Sequence, residues 1–425
     1  MRLIIIIINK KGKKTIWFKI HWFLGITAGI ILLVVGFSGA MLSFEKEILK
    51  AINQETYYVD VPLHQEKLTV KELLEKFQAK MPEAKINGIT HSTNPEDSSV
   101  ISIAGEGESA RKGVNKYINP YTAEILPDII GKDFFSFILR LHRWLAFPQE
   151  IREVGKQTVA ISTISLIVLI ISAIVIYWGR ISRAFLKSFT FNPKHKGRAF
   201  LSTMHSAIGM WVIPFYLLAS LTGLMWSYQW FNSMVYVIAG VEKPQRQMQP
   251  PQQNGQKPQE QGQEQKPERQ GEKPQRQGEK PQKDAQQSGK SAKFDDLQKA
   301  VNIFNVFVQK DYYSFTVKFP QKGSVYSFNY LDTKSDHFRS SNTLELDINS
   351  WQLLKHERFE DKPLNEQLLK SILPLHTGEY FGLIGQIGMF LASLLMSLFT
   401  ITGFMLYFNR KNKKKKKDVK IKEEF

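Results

Sequence analysis

Apolar residues in this chain gather into four long uncharged blocks, and polar residues fill the stretches between them. The first block, Ile20–Phe44, has about 25 residues, enough for a helix to cross the hydrocarbon core of a bilayer. Further blocks lie near Gln157–Gly179, Leu201–Trp230 and Ile384–Phe408. The first opens with His21-Trp22-Phe23-Leu24-Gly25 and carries glycines at Gly29, Gly36 and Gly39. At roughly 100° per residue these glycines share a face with His21. The predicted helix thus has one titratable group above a smooth stripe, which can seat another helix or a flat ligand. The pattern recurs at His205-Ser206-Ala207-Ile208-Gly209, and Gly223 lies as far beyond His205 as Gly39 lies beyond His21.

The intervening stretches alternate with shorter periods. Thr69-Val70-Lys71-Glu72 forms a capping box that opens a helix with Leu73, Leu74, Phe77 and Met81 on one face. Strand-like runs follow at Ala84–Thr90, Ser99–Ala104 and Val114–Ile118, and Asn119-Pro120-Tyr121 turns the chain before Glu124-Ile125-Leu126. Later, Phe294–Val308 reads as a helix, Ser314–Phe319 with Ser324–Tyr330 as one hairpin, and Leu344–Ile348 with Trp351–Leu354 as another. Between these units, residues 242–293 are rich in Gln, Pro, Lys, Glu and Gly and too polar to bury a core; they read as a tether.

The boundaries follow. A short N-terminus (1–16) precedes the first span (17–44) and an α+β domain (45–140). An interfacial segment with the second span (141–180) leads to a basic loop (181–200) and the third span (201–231). After the tether come a second α+β domain (294–370), an interfacial segment with the fourth span (371–409), and a basic tail (410–425). The expected fold class is a membrane protein: a four-helix transmembrane bundle built as a tandem duplication, with two extracytoplasmic α+β domains.

Charge fixes the expected orientation. The formal charge is +18, and lysines and arginines cluster before the first span, between the second and third, and after the fourth. The positive-inside rule puts all three clusters and both termini in the cytoplasm. Lys10, Lys11, Lys13 and Lys14 before an apolar run, with Ser38-Gly39-Ala40 beyond it, imitate a secretory signal, but the run is too long and reads as an uncleaved helix. The Ile4–Ile8 run has no assignable function. The mean hydropathy of −0.24 averages spans and loops and hides the membrane segments.

The chain has no cysteine, which excludes disulfides, iron–sulfur clusters, thiolate metal sites and covalent haem attachment; any haem is of the b type. Gly105-Glu106-Gly107-Glu108 lacks the third glycine of a dinucleotide loop, and no phosphate loop, zinc helix or nucleophile elbow is present. The basic residues are divided among membrane flanks and tether, which argues against nucleic acid.

These features resemble the PepSY-associated transmembrane family of bacterial iron-regulated membrane proteins, from His21 to about Arg410 with the tether omitted. The resemblance is carried by the two His-x-x-x-Gly helices, Leu141-His142-Arg143-Trp144, Leu375-His376-Thr377-Gly378-Glu379-Tyr380-Phe381-Gly382, and Ser38-Gly39, Thr222-Gly223 and Thr402-Gly403. It implies a bacterial cytoplasmic (inner) membrane protein with PepSY-like outer domains. Members are associated with reduction of ferric siderophores by two b haems on membrane histidines. Some relatives carry a fused flavin and nicotinamide domain, which this chain lacks. It also has Ala146 where Gly25 and Gly209 stand in the other His-x-x-x-Gly motifs.

Nine histidines are present. His64, His91, His337, His356 and His195 read as surface or turn residues. His21, His142, His205 and His376 border or enter spans, where ionisable residues are costly and point to function. By topology His21 and His205 lie near the cytoplasmic ends of their helices, and His142 and His376 at the outer ends. Two histidines at one level make an axial pair for a haem, giving His21 with His205 and His142 with His376, with Gly25 and Gly209 clearing a macrocycle face. His142 precedes its span by some fifteen residues, so it must ride on a re-entrant or extended helix.

The alternative is that these are boundary histidines with glycines serving only helix packing. Lys19, Arg143 and Arg198 are candidates for haem propionates, with topology anchoring the competing role for Lys19 and Arg198. Trp226, Tyr228, Trp230 and Phe231 read as an aromatic belt, and Glu45 and Glu379 as solvated carboxylates rather than a proton relay. Two functions therefore stand. One is a haem-b electron-transfer protein that takes electrons from a quinol or a separate reductase and reduces a ferric chelate. The other is a membrane-anchored, non-enzymatic PepSY regulator that binds a periplasmic peptidase or peptide.

Overall fold

The computed structural model describes residues 11–105, 113–243, 283–309, 311–320 and 324–423. The Ile4–Ile8 run, Glu106 to Glu108 and residues 244–282 of the expected tether lie outside them. The helix after the tether begins at Lys283, inside the stretch assigned to the tether by composition.

Among the described residues, four helical segments are long and apolar enough to cross a membrane: Thr15–Leu42, Lys132–Ile181, Gly197–Ser227 and Glu379–Lys411. Their main helices, the first to fourth spanning helices, are Lys11–Leu42, Arg152–Ile181, Gly197–Ser227 and Gly382–Glu423. They pack in cyclic order, first on second, second on third, third on fourth and fourth on first. Ala28, Leu32, Ile170, Val212, Tyr216, Ala392 and Met396 form the buried centre. The first and fourth helices press together at Gly36. A Cβ there would lie 2.5 Å from Met396 Cβ and 2.8 Å from Ser393 O, so part of the glycine stripe serves packing. Thr400 Oγ1 donates to Gly29 O at 3.0 Å in the same seam, and Tyr216 OH donates to Ala392 O at 2.8 Å across the third and fourth helices.

Two spans are preceded by a shorter helix that folds back on the bundle. Helix Lys132–Trp144 ends in consecutive left-handed residues, Leu145 (φ 59°) and Ala146 (φ 53°). The chain then returns as the second spanning helix, with Gly155 packed so closely under Trp144 O that a Cβ cannot fit. In the second repeat Ile372–Thr377 is closed by Gly378 (φ 86°), whose missing Cβ lets the turn press on Gly385 O. His142 and His376 ride on these re-entrant pieces, as the distance of His142 from its span requires.

The α+β units expected as two separate domains share one sheet. Seven antiparallel strands run in the order β3-β2-β1-β4-β5-β6-β7, with β1 Ile86–Ser92, β2 Ser99–Ile103, β3 Val114–Ile118, β4 Ser314–Lys318, β5 Val325–Leu331, β6 Asn342–Asp347 and β7 Leu353–Glu357. The two repeats meet at β1 and β4, where Gly88 pairs with Lys318 and Thr90 with Thr316, whose hydroxyls bond at 2.8 Å. Alternation with period two puts Ile101 and Ile103, Phe315 and Val317, Tyr326, Phe328 and Tyr330, and Leu344 and Leu346 on one buried face. Helices Val70–Lys80 and Lys283–Val308 cover that face together through Leu73, Leu74, Phe77, Leu297 and Phe304. The capping box at Thr69 and Glu72 forms as expected. Glu124-Ile125-Leu126 makes only an isolated bridge, Ile118 with Ile125.

Candidate functional site

The bundle holds its four histidines at two levels. His142 and His376 meet at the level nearer the sheet, with ring centres 6.1 Å apart and planes at 71°. His21 and His205 enter from the opposite end of the first and third helices and lie within electrostatic range of each other. Each ring is only partly buried, so it keeps an accessible edge inside an apolar bundle.

Each ring is gripped through Nδ1 by the partner helix of its own repeat. His21 bonds Ser172 Oγ at 2.8 Å, and His205 bonds Thr402 Oγ1 at 2.8 Å. His376 bonds Thr222 Oγ1 at 2.8 Å; His142 bonds Val35 O at 2.9 Å, with Ser38 Oγ at 3.3 Å. The duplication extends to this detail, since Ser38 follows His21 by the same seventeen residues that separate Thr222 from His205.

These bonds fix the tautomer. A hydroxyl has one proton to give, and each of these already gives it to a carbonyl of the preceding turn. Ser172 donates to Leu169 O at 2.8 Å, Thr402 to Leu398 O at 2.8 Å, and Thr222 to Leu218 O at 2.6 Å. With its proton so used, each hydroxyl accepts from the imidazole. Val35 O, a carbonyl, can only accept from His142. All four rings therefore carry the proton on Nδ1 and a lone pair on Nε2, the form in which histidine ligates a metal. His337 is the contrasting case. Its Nδ1 accepts from Arg339 N at 3.1 Å and its Nε2 donates to Ser371 Oγ at 3.0 Å, because Ser371 gives its proton to Gln367 O. No lone pair of that ring is left over.

The ring centres at the sheet-side level stand 6.1 Å apart in an edge-to-face contact, a separation two imidazoles on one metal ion would also have. An ion bonded at about 2 Å to one nitrogen of each ring, with each ring centre about 1 Å further back, sets the centres about 6 Å apart. Among the described residues no three His, Asp or Glu side chains gather around a metal-sized point, so the levels offer two imidazoles each and nothing more.

The glycines divide by role. A Cβ on Gly25 or Gly209 would meet only Leu169 or Phe399, each at 3.9 Å, so these helix faces stay clear below His21 and His205. Gly39 seats the other level, where a Cβ would stand 3.1 Å from His142 Cε1, and Gly223 faces His376 at 3.7 Å. Trp226 packs edge-on against His376 at 5.2 Å and Phe399 against His205 at 5.0 Å.

The remaining candidates sort as follows. Arg143, Lys19 and Arg198 are all exposed, and Arg143 lies 5.4 Å from the Trp144 ring centre. Glu379 is ion-paired with Lys46 at 2.8 Å, and so is a bracing contact. His337 and His91, expected at the surface, are not simple surface groups. His337 is 7% exposed in the corner between sheet and fourth helix, and His91 bonds Ser99 Oγ at 2.9 Å. Residues that sequence reasoning passed over are Ser172, Val35 and Arg152. Ser172 stands before Ala173 where the other repeat has Thr402-Gly403, and comparing the repeats would have found it.

Residues 18–410, which include all four histidines and every group that grips them, match the family model described as the PepSY-associated TM region. The chain belongs to this family. No curated protein matches it. In this PepSY-associated TM protein the matched region includes the bundle and the sheet, so both repeats are parts of one family unit.

Proposed function

We propose that this PepSY-associated TM protein holds two b-type haems, one between His21 and His205 and one between His142 and His376. On this reading it is a transmembrane electron-transfer protein. It reduces an extracytoplasmic ferric chelate, of the ferric-siderophore type, with electrons from a quinol or a separate reductase. The observation that carries the reading is the common grip on four histidines from four separate pieces of helix, each held through Nδ1 with no hydrogen bond to Nε2 among the described residues.

Haem b supplies a one-electron couple whose potential depends on its ligands and their surroundings. The chain's own residues orient and insulate. Ser172, Thr402, Thr222 and Val35 hold the rings in the ligating form, and Gly25 and Gly209 leave room for a flat group against the helix. Leu32, Val212 and Met396 keep water from the middle of the bundle. The two levels are set fourteen residues apart on both the first and third helices, His21 to Val35 and His205 to Ala219. At 1.5 Å per residue that is about 21 Å, shorter than a hydrocarbon core of about 30 Å. By the positive-inside rule the basic clusters support a cytoplasmic side for His21 and His205 and an outer side for the sheet. One electron weakens the grip of oxygen-rich chelators on iron, so reduction there releases the metal.

Single His→Ala variants test this reading. The four should fall into two pairs, His21 with His205 and His142 with His376, each pair removing or converting one of two low-spin haem signals. Four variants with identical spectra, or none that changes, would refute it.

A further inference from the structure

Beside His142 stand two guanidiniums with no carboxylate in ion-pair contact among the described residues. Arg143 lies 5.4 Å and Arg152 4.3 Å from the centre of the Trp144 ring, and among the described residues neither is ion-paired. The nearest acid in sequence, Glu153, lies in electrostatic range of Arg152 but bonds Gln157 at 2.7 Å and pairs with Lys156 at 3.6 Å. Arg152 is also the first residue of the second spanning helix, where the dipole already presents positive charge. Three sources of positive potential thus converge at the mouth of an apolar bundle.

The backbone holds them there. Leu145 and Ala146 both adopt left-handed φ, an unfavourable choice for residues with side chains, and Ala146 N bonds Arg140 O at 3.1 Å. That turn, with Gly155 beneath Trp144 O, brings Arg152 back over the indole next to Arg143. Two forks with parallel N–H donors match one carboxylate or phosphate.

We propose that Arg143 and Arg152, gathered on Trp144, form a cradle for a carboxylate of the porphyrin ligated by His142. The proposal rests on the haem reading and adds an anion site to it, with Arg152 and Trp144 as parts. Both arginines act as binding residues for the propionate and leave the iron to the histidines. A lipid phosphate at the membrane surface offers similar chemistry, and the test separates the two.

In full-length H21A/H205A protein, which keeps only the sheet-side level, haem and haem dimethyl ester are titrated into the apo form. Nanodiscs of zwitterionic lipid, with and without an anionic lipid fraction, provide the membrane. The parent should prefer haem over its ester by tenfold or more. R143Q/R152Q should lose that preference while binding the ester as tightly as the parent, which also shows that the bundle is folded. R143K/R152K should recover part of it. An unchanged preference in R143Q/R152Q overturns the cradle and leaves the haem reading standing. Affinity for both porphyrins that rises equally with anionic lipid, and only when the arginines are present, assigns the site to lipid and also overturns it. A parent that forms no bis-histidine spectrum with either porphyrin removes the haem reading and the cradle together.

Discussion

Replacing Thr222 by Val keeps the shape of the side chain and deletes the oxygen that accepts from His376 Nδ1 at 2.8 Å. The ring then loses its 2.8 Å acceptor and keeps only the backbone contact to Ala219 O, at a cost of about 1–3 kcal/mol, or roughly 5- to 150-fold in an equilibrium constant. It also gains freedom to rotate or to move its proton to Nε2, the form that cannot ligate. Affinity of the sheet-side level for haem should fall by roughly 10- to 100-fold, the usual effect of losing an outer partner of a metal-bound histidine. The matching change on the other ligand, Ser38→Ala, serves as the control. His142 gives its proton to Val35 O at 2.9 Å, and Ser38 Oγ stands further off at 3.3 Å. Ser38→Ala should therefore cost well under 1 kcal/mol. The assay is a haem titration of the apo form of each variant, followed at the Soret band, with the other level removed by H21A/H205A. Thr222→Ser should restore affinity. A Thr222→Val protein of parental affinity, or a Ser38→Ala protein as impaired as Thr222→Val, would refute the tautomer argument.

Three further outcomes follow from the geometry. Gly36→Ala should lower the melting temperature of the bundle by an amount equivalent to about 1–3 kcal/mol, because Met396 Cβ and Ser393 O occupy the space, whereas Gly25→Ala should leave it unchanged; thermal unfolding of the two variants compares them directly. Gly378→Ala should weaken haem retention at the sheet-side level, since the left-handed turn that carries His376 has no room for a Cβ against Gly385 O; haem content after dilution measures it. Burial pushes the His91 imidazole down to about 4 from 6.5, and the Lys67 ammonium acts in the same direction. The folded sheet therefore binds fewer protons than the unfolded chain. This stability is complete above about pH 6.5 and is lost as pH falls toward 4, by up to about 3 kcal/mol. His91→Gln should flatten that part of an acid-unfolding curve read by tryptophan fluorescence, and a curve of unchanged slope would count against it.

The spans, the capping box and the strands were legible because each depends on local periodicity. Charge and β-alternation show in a short window, and β2 and β3 form within a residue of where the pattern put them. The single sheet was not legible, because the β1–β4 pairing joins residues more than two hundred apart and leaves no local mark beyond the small residues Gly88 and Thr90. The same limit applies at the site. The four ligand candidates stood out because a histidine in an apolar block is rare, and Ser38-Gly39, Thr222-Gly223 and Thr402-Gly403 were visible as repeated pairs. Their purpose was hidden, since a hydroxyl in a helix ordinarily bonds its own preceding turn. Only the packed bundle reveals that these hydroxyls also accept from an imidazole. The turn at Leu145 and Ala146 escaped notice because neither residue is a glycine, and with it the position of Arg152 over Trp144. His337 looked like a loop histidine because its partners, Ser371 and Tyr380, come from the far end of the second repeat.

The most direct test of the central claim is the haem content and electron paramagnetic resonance spectrum of the oxidised full-length protein, purified from membranes of cells supplied with iron. Two haems per chain, both low-spin with the g values of bis-imidazole iron, are the expected result. A colourless protein, or haem that is high-spin with one nitrogen ligand, would contradict it.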